Sequence, residues 1–437
     1  ALDLRSFDGS EGLDGARVAM RLLQLAAAPG EETEVVLEPD GLSALRVQQG
    51  LGPDGPCEGA AVAAGTRLVS DAAGTLDDLA WRQVARGPLG ADDVEIEIAA
   101  TGLNYRDVMW AQGLLPEEAL EAGFAGPALG IECAGRVARV GRDVTGLAPG
   151  DPVVSFGPAC FSSHVVMPQG WVGRVPEGLG MDAAATIPVA FFTAYHALVD
   201  LGRIAAGETV LIHGGAGGVG LAAIQIARAT GARVIATAGS AVKRDTLRAL
   251  GVEHVLSSRS LAFGDEVRAL TGGDGVDLVL NSLAGEAMEL SLGLLRPFGR
   301  FLELGKQDFY ANSAIGLRPL RENASYFGID ADQLMALRPD HARALFAEVI
   351  AKVRDGIYRP PPYRRFGADE VVEAFRAMQR SAHIGKIVVA PRAPSARLAP
   401  AATPVFRPDP DGWHVIAGGL GGLGLALAEW LVSASPS

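Results

Sequence analysis

Cysteine, lysine, positive charge and long apolar stretches are all scarce in this chain of 437 residues. Its three cysteines, Cys57, Cys133 and Cys160, are an odd number and lie far apart, which excludes a disulfide framework and a structural zinc site with four thiolates. The formal net charge of −13 argues against binding to nucleic acid. Apolar stretches are interrupted well before about 18 residues, so we expect no membrane-spanning helix. Together these absences predict a cytoplasmic protein in a reducing environment.

Lysine is so rare in this chain that each lysine can have an individual role. Only four of the 38 basic residues are lysine, at positions 243, 306, 352 and 386, which leaves 34 arginines. Because arginine supplies the ordinary surface charge, each lysine is a candidate for a specific task. Lys352 lies in a predicted amphipathic helix and is expected to be a plain surface charge.

The order of predicted elements divides the chain into a β-rich part and an alternating part. Residues 94–98 alternate between apolar and acidic side chains, as in a half-buried strand, and short strands continue to about residue 180. Between about residues 186 and 330, strands and helices alternate, which predicts a doubly wound parallel sheet. A stretch with proline at 391, 394, 400, 404 and 408 is expected to be a linker.

The strongest motif is the glycine-rich segment His213–Gly220, which lies between an apolar strand at 209–212 and a predicted helix at 219–230. It has the G-x-G-x-x-G spacing, in which glycines allow a tight turn and a close approach of the backbone to a pyrophosphate. A purely structural glycine turn is the alternative. The strand–turn–helix context favours a dinucleotide site formed by Gly215, Ala216, Gly217, Gly218, Val219 and Gly220.

The end of the second strand of this unit indicates which dinucleotide binds. No Asp or Glu stands there to hold a ribose 2′-hydroxyl, and the sequence at 238–244 instead includes Ser240 and Lys243. This favours NADPH over NADH, because a 2′-phosphate requires cations. The alternative for Lys243 is an ordinary solvated charge. Arg259 is expected to add a second cation or to stack on the adenine.

Seven ordered motifs between about residues 75 and 391 resemble the enoyl reductase domains of type I polyketide synthases and related fatty acid synthases, in the medium-chain dehydrogenase/reductase superfamily. The resemblance implies an α/β fold in which a GroES-like, β-rich substrate domain is split around a Rossmann domain with a doubly wound parallel sheet. It implies hydride transfer from NADPH to the β-carbon of an enoyl thioester on an acyl carrier protein, with other domains of the parent synthase as partners. The motifs are Thr101–Met109, Leu129–Gly135, Ile187–Leu198, the glycine loop, Val279–Leu283, Gly299–Lys306 and His383–Ile387.

The resemblance also implies domain boundaries. We expect the substrate domain at 75–186 and 331–391, the cofactor domain at 187–330 and the linker at 392–408. Residues 1–72 resemble the trailing part of a ketoreductase structural half, and residues 409–437 the start of a ketoreductase catalytic half. The chain ends before a Tyr-x-x-x-Lys segment, so ketoreduction is not expected. The first residue is Ala1, which suggests a piece of a longer polypeptide.

The resemblance argues against a metal ion. Zinc-using relatives carry a Gly-His-Glu segment and a four-cysteine lobe. Here Gly130, Ile131 and Glu132 stand in the place of that segment. We therefore expect no zinc site.

Lys306 and Asp330 are the catalytic residues that the resemblance implies. Lys306 ends its motif near the carboxyl edge of the predicted sheet, where such folds bind ligands, and Asp330 ends the segment Tyr326–Asp330. The carboxylate would orient the ammonium, and the ammonium would stabilise the enolate. A salt bridge between strand ends is the alternative.

Further residues are assigned to the cofactor by the resemblance. Asn104 is expected near the nicotinamide and ribose, and Asn281 and Ser282 in the nicotinamide pocket, although ordinary turn chemistry is the alternative. Lys386 is expected to border the phosphates or ribose, while His383 is either a donor to the cofactor or a capped surface histidine. The set also includes Thr193, Leu283, Gly305 and Gly385.

The substrate pocket departs from the family pattern at one position. Several modular enoyl reductases carry a tyrosine eleven positions after the Asn of Gly-Leu-Asn, and here Leu115 stands there. Tyr105 is not expected to replace that hydroxyl, so proton delivery falls to Lys306, Asp330 or water. We assign Tyr105 and Leu115 to the substrate pocket alone.

Two other functions stay open from the sequence. One is a free-standing quinone or alkenal reductase of the same superfamily, against which the second glycine-rich segment at 418–424 and the missing Met argue. The other is a non-catalytic NADPH-binding scaffold domain, against which the intact Lys306 and Asp330 argue.

Overall fold

The computed structural model describes residues 35–38, 41–44, 65–70, 74–115 and 123–391. The expected linker and the segment 409–437 lie outside the described residues, as does most of the segment 1–72. Val35–Glu38 (β1) and Gly41–Ala44 (β2) pair antiparallel. This hairpin belongs to a unit separate from Val62–Ala399, which contains every other element described below.

The first part of the larger unit is β-rich, as expected. Strands β3 and β4 form a two-stranded antiparallel sheet, and β5 pairs antiparallel with both β6 and β8. Strands β7 and β9 extend this second sheet beyond β6. Helix α1, Tyr105–Ala111, follows β5 directly. The strands are β3 (Gly65–Ser70), β4 (Leu79–Val84), β5 (Asp93–Leu103), β6 (Glu132–Val140), β7 (Pro152–Phe156), β8 (His164–Pro168) and β9 (Val172–Arg174).

In strand β5, a buried ion pair breaks the simple alternation of buried apolar and exposed acidic side chains. Ile96 and Ile98 are buried as the apolar positions predict, but Glu95 is buried as well, at 1% exposure. Burial opposes its ionisation, yet hydrogen bonds from Arg139 and Arg86 prevail and lower the pKa of Glu95 to about 2. An acidic residue on the face opposite Ile96 and Ile98 is thus buried and stabilised by two guanidinium groups.

An apolar helical region links the two parts of the unit. It includes α2 (Met181–Ala184), α3 (Pro188–Tyr195) and a π-helical turn, His196–Leu201. By length and composition alone, Met181–Leu201 is apolar enough to cross a membrane, with a mean hydropathy of 1.3, although Asp182, His196 and Asp200 interrupt it. However, 78% of its apolar window is buried inside the protein, as in the core helix of a globular fold.

The second part is a six-stranded sheet in the order β12-β11-β10-β13-β14-β15, with every neighbouring pair parallel. The predicted doubly wound sheet is therefore confirmed. Helices α4 (Gly218–Thr230), α5 (Ala241–Ala249), α6 (Phe263–Leu270) and α7 (Glu286–Leu292) connect its first strands. The strands are β10 (Thr209–Ile212), β11 (Arg233–Ala238), β12 (His254–Ser257), β13 (Val276–Asn281), β14 (Leu295–Glu303) and β15 (Ser325–Gly328).

After the parallel sheet the chain returns to the first sheet. Strand β17 pairs antiparallel with β5 and parallel with β16, so the β-rich domain is assembled from segments on both sides of the Rossmann domain. This confirms the split architecture, whereas its residue boundaries stay a prediction. Helix α8 (Gln307–Tyr310) lies between β14 and β15. The returning elements are α9 (Ala331–Leu337), α10 (Pro339–Arg354), β16 (Tyr363–Phe366), α11 (Val371–Gln379) and β17 (Lys386–Val389).

Candidate active site

The glycine loop connects the end of β10 to the start of α4. The Gly215 amide donates to the Thr237 carbonyl oxygen at 2.9 Å, which joins the loop to β11. A Cβ on Gly220 would lie 2.4 Å from the Gly214 carbonyl oxygen, so only glycine allows this close packing. The first turn of α4 contains no acidic residue. The predicted segment from Gly215 to Gly220 therefore presents a helix N-terminus that fits a pyrophosphate.

His213 supports this loop from the protein interior. Its Nδ1 lies 2.9 Å from Thr237 Oγ1 and its Nε2 lies 2.9 Å from Ser291 Oγ. Burial lowers the pKa of His213 to about 3, so the ring is neutral near pH 7. His213, the first residue of the motif, therefore supports the loop from below and has a structural role.

Two cations lie together beyond the carboxyl end of β11. Ser240 caps α5 by accepting from the Lys243 amide, and Lys243 Nζ donates to the Ser381 carbonyl oxygen at 2.7 Å. The Arg259 guanidinium reaches the Gly239 carbonyl oxygen at 3.4 Å. Burial, together with the charge of Arg259, lowers the pKa of Lys243. Neither cation pairs with a carboxylate of the described residues, so their charge is available to an anion.

The segment 381–386 closes over the glycine loop. The Gly385 amide donates to the Ala216 carbonyl oxygen at 2.8 Å, and a Cβ on Gly385 would collide with the Pro362 carbonyl oxygen. His383 Nδ1 is buried and has no hydrogen-bond partner in the described part of the chain. Burial and the charges of Lys243 and Lys386 lower the pKa of His383 to about 4. Because this nitrogen is buried, the contact of His383 with the cofactor stays a prediction.

Lys386 lies against the glycine loop, and its role towards the cofactor stays a prediction. Its side chain is buried, and its ammonium donates to Glu132 Oε1 at 2.5 Å, Asn104 Oδ1 at 2.7 Å and the Leu103 carbonyl oxygen at 3.1 Å. An ammonium has three donors, so all of them are used within the protein. The geometry therefore does not support a direct bond from this lysine to cofactor phosphates or ribose. Its stem instead packs against Gly218 of the loop.

Asn104 belongs to the same buried network. Its Nδ2 donates to Glu132 Oε1 at 2.9 Å, while its backbone amide donates to Asp107 Oδ2 at 2.9 Å at the start of α1. The other oxygen of Glu132 accepts from the Val189 amide at 2.8 Å in α3, the helix that also carries the half-buried Thr193. The network thus fixes the predicted Asn104 relative to α3.

The predicted nicotinamide-side residues lie where β13 ends. Asn281 is buried, and its amide bonds both to the Leu283 carbonyl oxygen, at 2.7 Å, and to Glu303 Oε2, at 2.5 Å. Ser282 is exposed beside the glycine loop, since a Cβ on Gly214 would lie 3.1 Å from its Oγ. The half-buried Gly305 follows the neighbouring strand. These residues line the carboxyl edge of the sheet, next to the loop.

Lys306 and Asp330 are paired at this edge. Lys306 Nζ donates to Asp330 Oδ2 at 3.0 Å and to the Ile329 carbonyl oxygen at 2.8 Å. It also lies 5.7 Å from the centre of the Phe309 ring. Asp330 in turn caps α9 by accepting from the Gln333 amide at 3.0 Å. Both side chains remain about one third exposed, at 29% and 34%, so the pair can reach a substrate.

The two predicted substrate-pocket residues lie at either end of α1. Tyr105 opens that helix and is 57% exposed. Leu115 is half-buried and borders the gap in the described residues at 116–122. The structure shows no direct contact between either residue and the Lys306–Asp330 pair, so their assignment stays a prediction.

Comparison with known proteins agrees with this architecture. Residues 90–193 match the alcohol dehydrogenase GroES-like domain and residues 218–333 match the zinc-binding dehydrogenase family. The chain is 38% identical to the CurK enoyl reductase, with a TM-score of 0.69, and the match covers 99% of that structure and 75% of this chain. It belongs to the enoyl reductase family. The JamJ enoyl reductase is also similar, at 34% identity, with a TM-score of 0.69 and coverage of 99% of that structure and 75% of this chain.

Curated relatives place this enoyl reductase within the family of polyketide synthase domains. It is 43% identical over 369 residues to a phenolphthiocerol/phthiocerol polyketide synthase polypeptide of Mycobacterium tuberculosis, covering 84% of this chain and 17% of that protein. It is 38% identical over 373 residues to highly-reducing polyketide synthase 1 of Aureobasidium melanogenum, with the same two coverages. The chain thus spans about a sixth of the length of these relatives.

The residues of this enoyl reductase do not fit a catalytic zinc ion, although one matched family is named for zinc. Ile131 precedes Glu132, and both oxygens of Glu132 already accept hydrogen bonds from protein groups. No group of three or more His, Cys, Asp or Glu side chains in the described ranges could hold a metal ion. We therefore assign no chemical step to zinc.

Glu303 is the residue of the enoyl reductase site that sequence reasoning missed. It ends β14, is 3% exposed, and contacts Asn281 and the Gly305 amide. Burial raises its pKa to about 7. The only sequence signal was an acidic residue within the otherwise apolar end of the Gly299–Lys306 motif, where a charge is costly unless it is hydrogen-bonded.

Proposed function

We propose that this chain catalyses NADPH-dependent reduction of the α,β-double bond of an enoyl thioester carried by an acyl carrier protein, as the enoyl reductase step of polyketide chain processing. The observation that carries the proposal is the Lys306–Asp330 pair, 3.0 Å apart, at the same edge of the parallel sheet as the glycine loop. The similarity to the CurK and JamJ enoyl reductases supports the reaction class.

NADPH is the proposed cofactor, and the residues present fit it. The glycine loop and the N-terminus of α4 suit its pyrophosphate, and the unpaired charges of Lys243 and Arg259 suit its 2′-phosphate. The loop with Asn281 and Ser282 lies where a nicotinamide would reach the carboxyl edge of the sheet. When bound, NADPH supplies the hydride for the β-carbon.

Lys306 and Asp330 provide the charge and the proton in this proposal. Two of the three Nζ donors of Lys306 are used by Ile329 and Asp330, which leaves one donor for the thioester oxygen as negative charge develops there. Asp330 keeps the ammonium in place because it is itself fixed at the cap of α9. Lys306, or a water beside the pair, then gives a proton to the α-carbon, and solvent restores that proton, which completes the saturated thioester.

The proposed partners follow from the relatives. An acyl carrier protein would deliver the substrate on its phosphopantetheine arm, and the other domains of a parent synthase would supply the enoyl chain and accept the product. We propose the cytoplasm as the location. The polyketide synthases of which this chain spans 17% support this setting.

The proposal is tested with purified protein and crotonyl-pantetheine. The expected result is oxidation of NADPH at a rate proportional to enzyme, with butyryl-pantetheine as the product and much slower oxidation of NADH. Turnover of a quinone or a free alkenal, with none of the thioester, would instead establish the superfamily alternative. Tight binding of NADPH without turnover of any of these acceptors would establish a scaffold domain.

A further inference from the structure

Two loops leave the carboxyl edge of the parallel sheet side by side. The loop after β13 contains Asn281, Ser282 and Leu283, which are the predicted nicotinamide-side residues. The loop after β14 contains Gly305 and Lys306. Glu303 is the last residue of β14 and lies opposite Asn281 in the pairing of the two strands. Its side chain is therefore located between the cofactor side and the catalytic lysine.

The Glu303 carboxylate bonds to both loops at once. Its Oε2 accepts from Asn281 Nδ2 at 2.5 Å, and its Oε1 accepts from the Gly305 amide at 2.6 Å. Asn281 extends the connection, because its Nδ2 also donates to the Leu283 carbonyl oxygen and its Oδ1 accepts from the Leu283 amide at 3.2 Å. A Cβ on Gly305 would lie 2.7 Å from Glu303 Oε1. Any other residue at position 305 would therefore displace the Glu303 carboxylate from its present place.

We propose that Glu303 is a positioning residue, whose carboxylate holds the nicotinamide-side loop and the Lys306 loop at a fixed separation. The inference rests on the proposed function, because that function assigns the two loops to hydride and proton transfer. A second contact supports it: Asp308 Oδ2, in the first turn of α8, accepts from the Gly285 amide at 3.1 Å, at the end of the nicotinamide-side loop. Glu303 and Asp308 therefore each join the nicotinamide-side loop to the segment that carries Lys306.

The ionised form of Glu303 makes the stronger contacts, because each carboxylate oxygen accepts a charge-assisted hydrogen bond. Protonation removes the charge and makes the hydroxyl oxygen a weaker acceptor, which weakens its bond to the Asn281 amide or the Gly305 amide. Reversing the Asn281 amide does not repair the contact, because its present orientation also satisfies both backbone groups of Leu283. Protonation of Glu303 is therefore expected to loosen the two loops.

The surroundings of Glu303 set the pH at which its carboxyl group is protonated, and this pH is close to 7. Burial, together with the negative charge of Asp308, raises the pKa of Glu303 to about 7. Hydrogen bonds from Asn281 and Gly305 and the positive charge of Lys306 act in the opposite direction and limit this rise in the pKa. Tyr326, on β15, also interacts with the Glu303 charge and stays neutral, since burial raises its own pKa to about 12. The ordered arrangement is thus favoured above about pH 7 and is lost below it.

The test compares Glu303→Gln with the parent enzyme between about pH 6 and about pH 9. Glutamine keeps the size of the side chain but offers only one acceptor, so kcat with crotonyl-pantetheine should fall about tenfold at the alkaline end. The parent kcat should decline towards acid with a midpoint near pH 7, and the variant should lack that decline. The KM for NADPH should rise in the variant, because the nicotinamide-side loop is also released.

Glu95→Gln is the matched control, since Glu95 is also a buried carboxylate bonded to two groups, but it lies on β5. It is expected to lower thermal stability while it keeps the parent pH profile. An identical kcat and pH profile for Glu303→Gln and the parent would overturn the proposal.

A second readout separates this inference from the proposed function. NADPH affinity, measured by fluorescence titration across the same pH range, should weaken towards acid in the parent and show no such trend in Glu303→Gln. This comparison holds even if crotonyl-pantetheine is not turned over, in which case the proposed reaction alone fails. Equal pH dependence of NADPH affinity in both proteins, or no NADPH binding to either, would overturn the role of Glu303.

Discussion

The ammonium of Lys386 lies 2.5 Å from Glu132 Oε1, and the two side chains are 5% and 0% exposed. This buried ion pair joins β17, near the end of the described chain, to β6 and to the cap of α1 through Asn104. The stem of the lysine also packs against Gly218. The pair therefore connects the two segments of the β-rich domain with the glycine loop of the Rossmann domain.

Replacing Lys386 with Met should destabilise the protein strongly. The variant would leave the Glu132 carboxylate buried without its cation, and breaking such a pair costs about 3–5 kcal/mol. Chemical denaturation should show the loss, and Lys352→Met on α10 should show almost none. The double variant Glu132→Gln with Lys386→Met should recover part of the stability, because no unpaired charge remains. Equal stability of the two lysine variants would contradict this account of the pair.

Removal of either cation near β11 should weaken binding of NADPH selectively. Lys243→Ala and Arg259→Ala each delete a charge that has no carboxylate partner in the described residues. The affinity of the protein for NADPH should therefore fall about tenfold, because the contact with the 2′-phosphate is weakened. Binding of NADH should change little, because it lacks that phosphate. Titration of both dinucleotides by fluorescence gives the comparison within one variant. A parallel loss of affinity for both would show that these residues act on the loop rather than on the phosphate.

Lys306→Ala should lower kcat by about a hundredfold or more and leave the affinity for NADPH close to that of the parent. The reason is that Lys306 contacts Asp330 and Ile329, not the glycine loop or the cations near β11. Stopped-flow turnover and equilibrium binding of NADPH separate the two effects. Lys352→Ala controls for the loss of one lysine. An unchanged kcat would remove Lys306 from the mechanism.

Because of His213, the free energy of unfolding of the protein should decrease as the pH becomes acidic. Its folded-state pKa, about 3, lies below its unfolded value near 6.5, so the stabilising contribution is complete above about pH 6.5 and is lost as the pH falls. At pH 5 the loss amounts to about 2 kcal/mol. Denaturation of the parent and of His213→Gln at several pH values tests this. The parent should lose more stability than the variant between pH 7 and pH 5, and parallel curves would contradict the assignment.

Local patterns made part of this site predictable. The glycine loop depends on residues within a single strand–turn–helix unit, so its position follows from the order of Gly215, Gly217 and Gly220. The resemblance implied that Lys306 and Asp330 act as a pair, and the two residues follow the neighbouring parallel strands β14 and β15. The structure places them 3.0 Å apart, and their catalytic role stays a prediction.

Contacts between distant residues were not predictable. Lys386 and Glu132 are 254 positions apart, and nothing near either one indicates that the other neutralises it. Scarcity of lysine suggested a cofactor contact for Lys386, whereas burial gives it a structural partner. Glu303 was not predicted for a similar reason, since its two hydrogen bonds depend on the register in which β13 and β14 pair. Likewise, the apolar segment Met181–Leu201 is explained by its burial in the core, which composition alone does not show.

The most direct test of the central claim is the transfer of deuterium from NADPH that carries deuterium at both C4 positions of the nicotinamide to crotonyl-pantetheine, followed by mass spectrometry and NMR of the product. The account predicts butyryl-pantetheine with one deuterium at the β-carbon and a hydrogen from solvent at the α-carbon. The rate should fall sharply in Lys306→Ala. Oxidation of NADPH without deuterium at the β-carbon, or no reduction of the thioester at all, would contradict it.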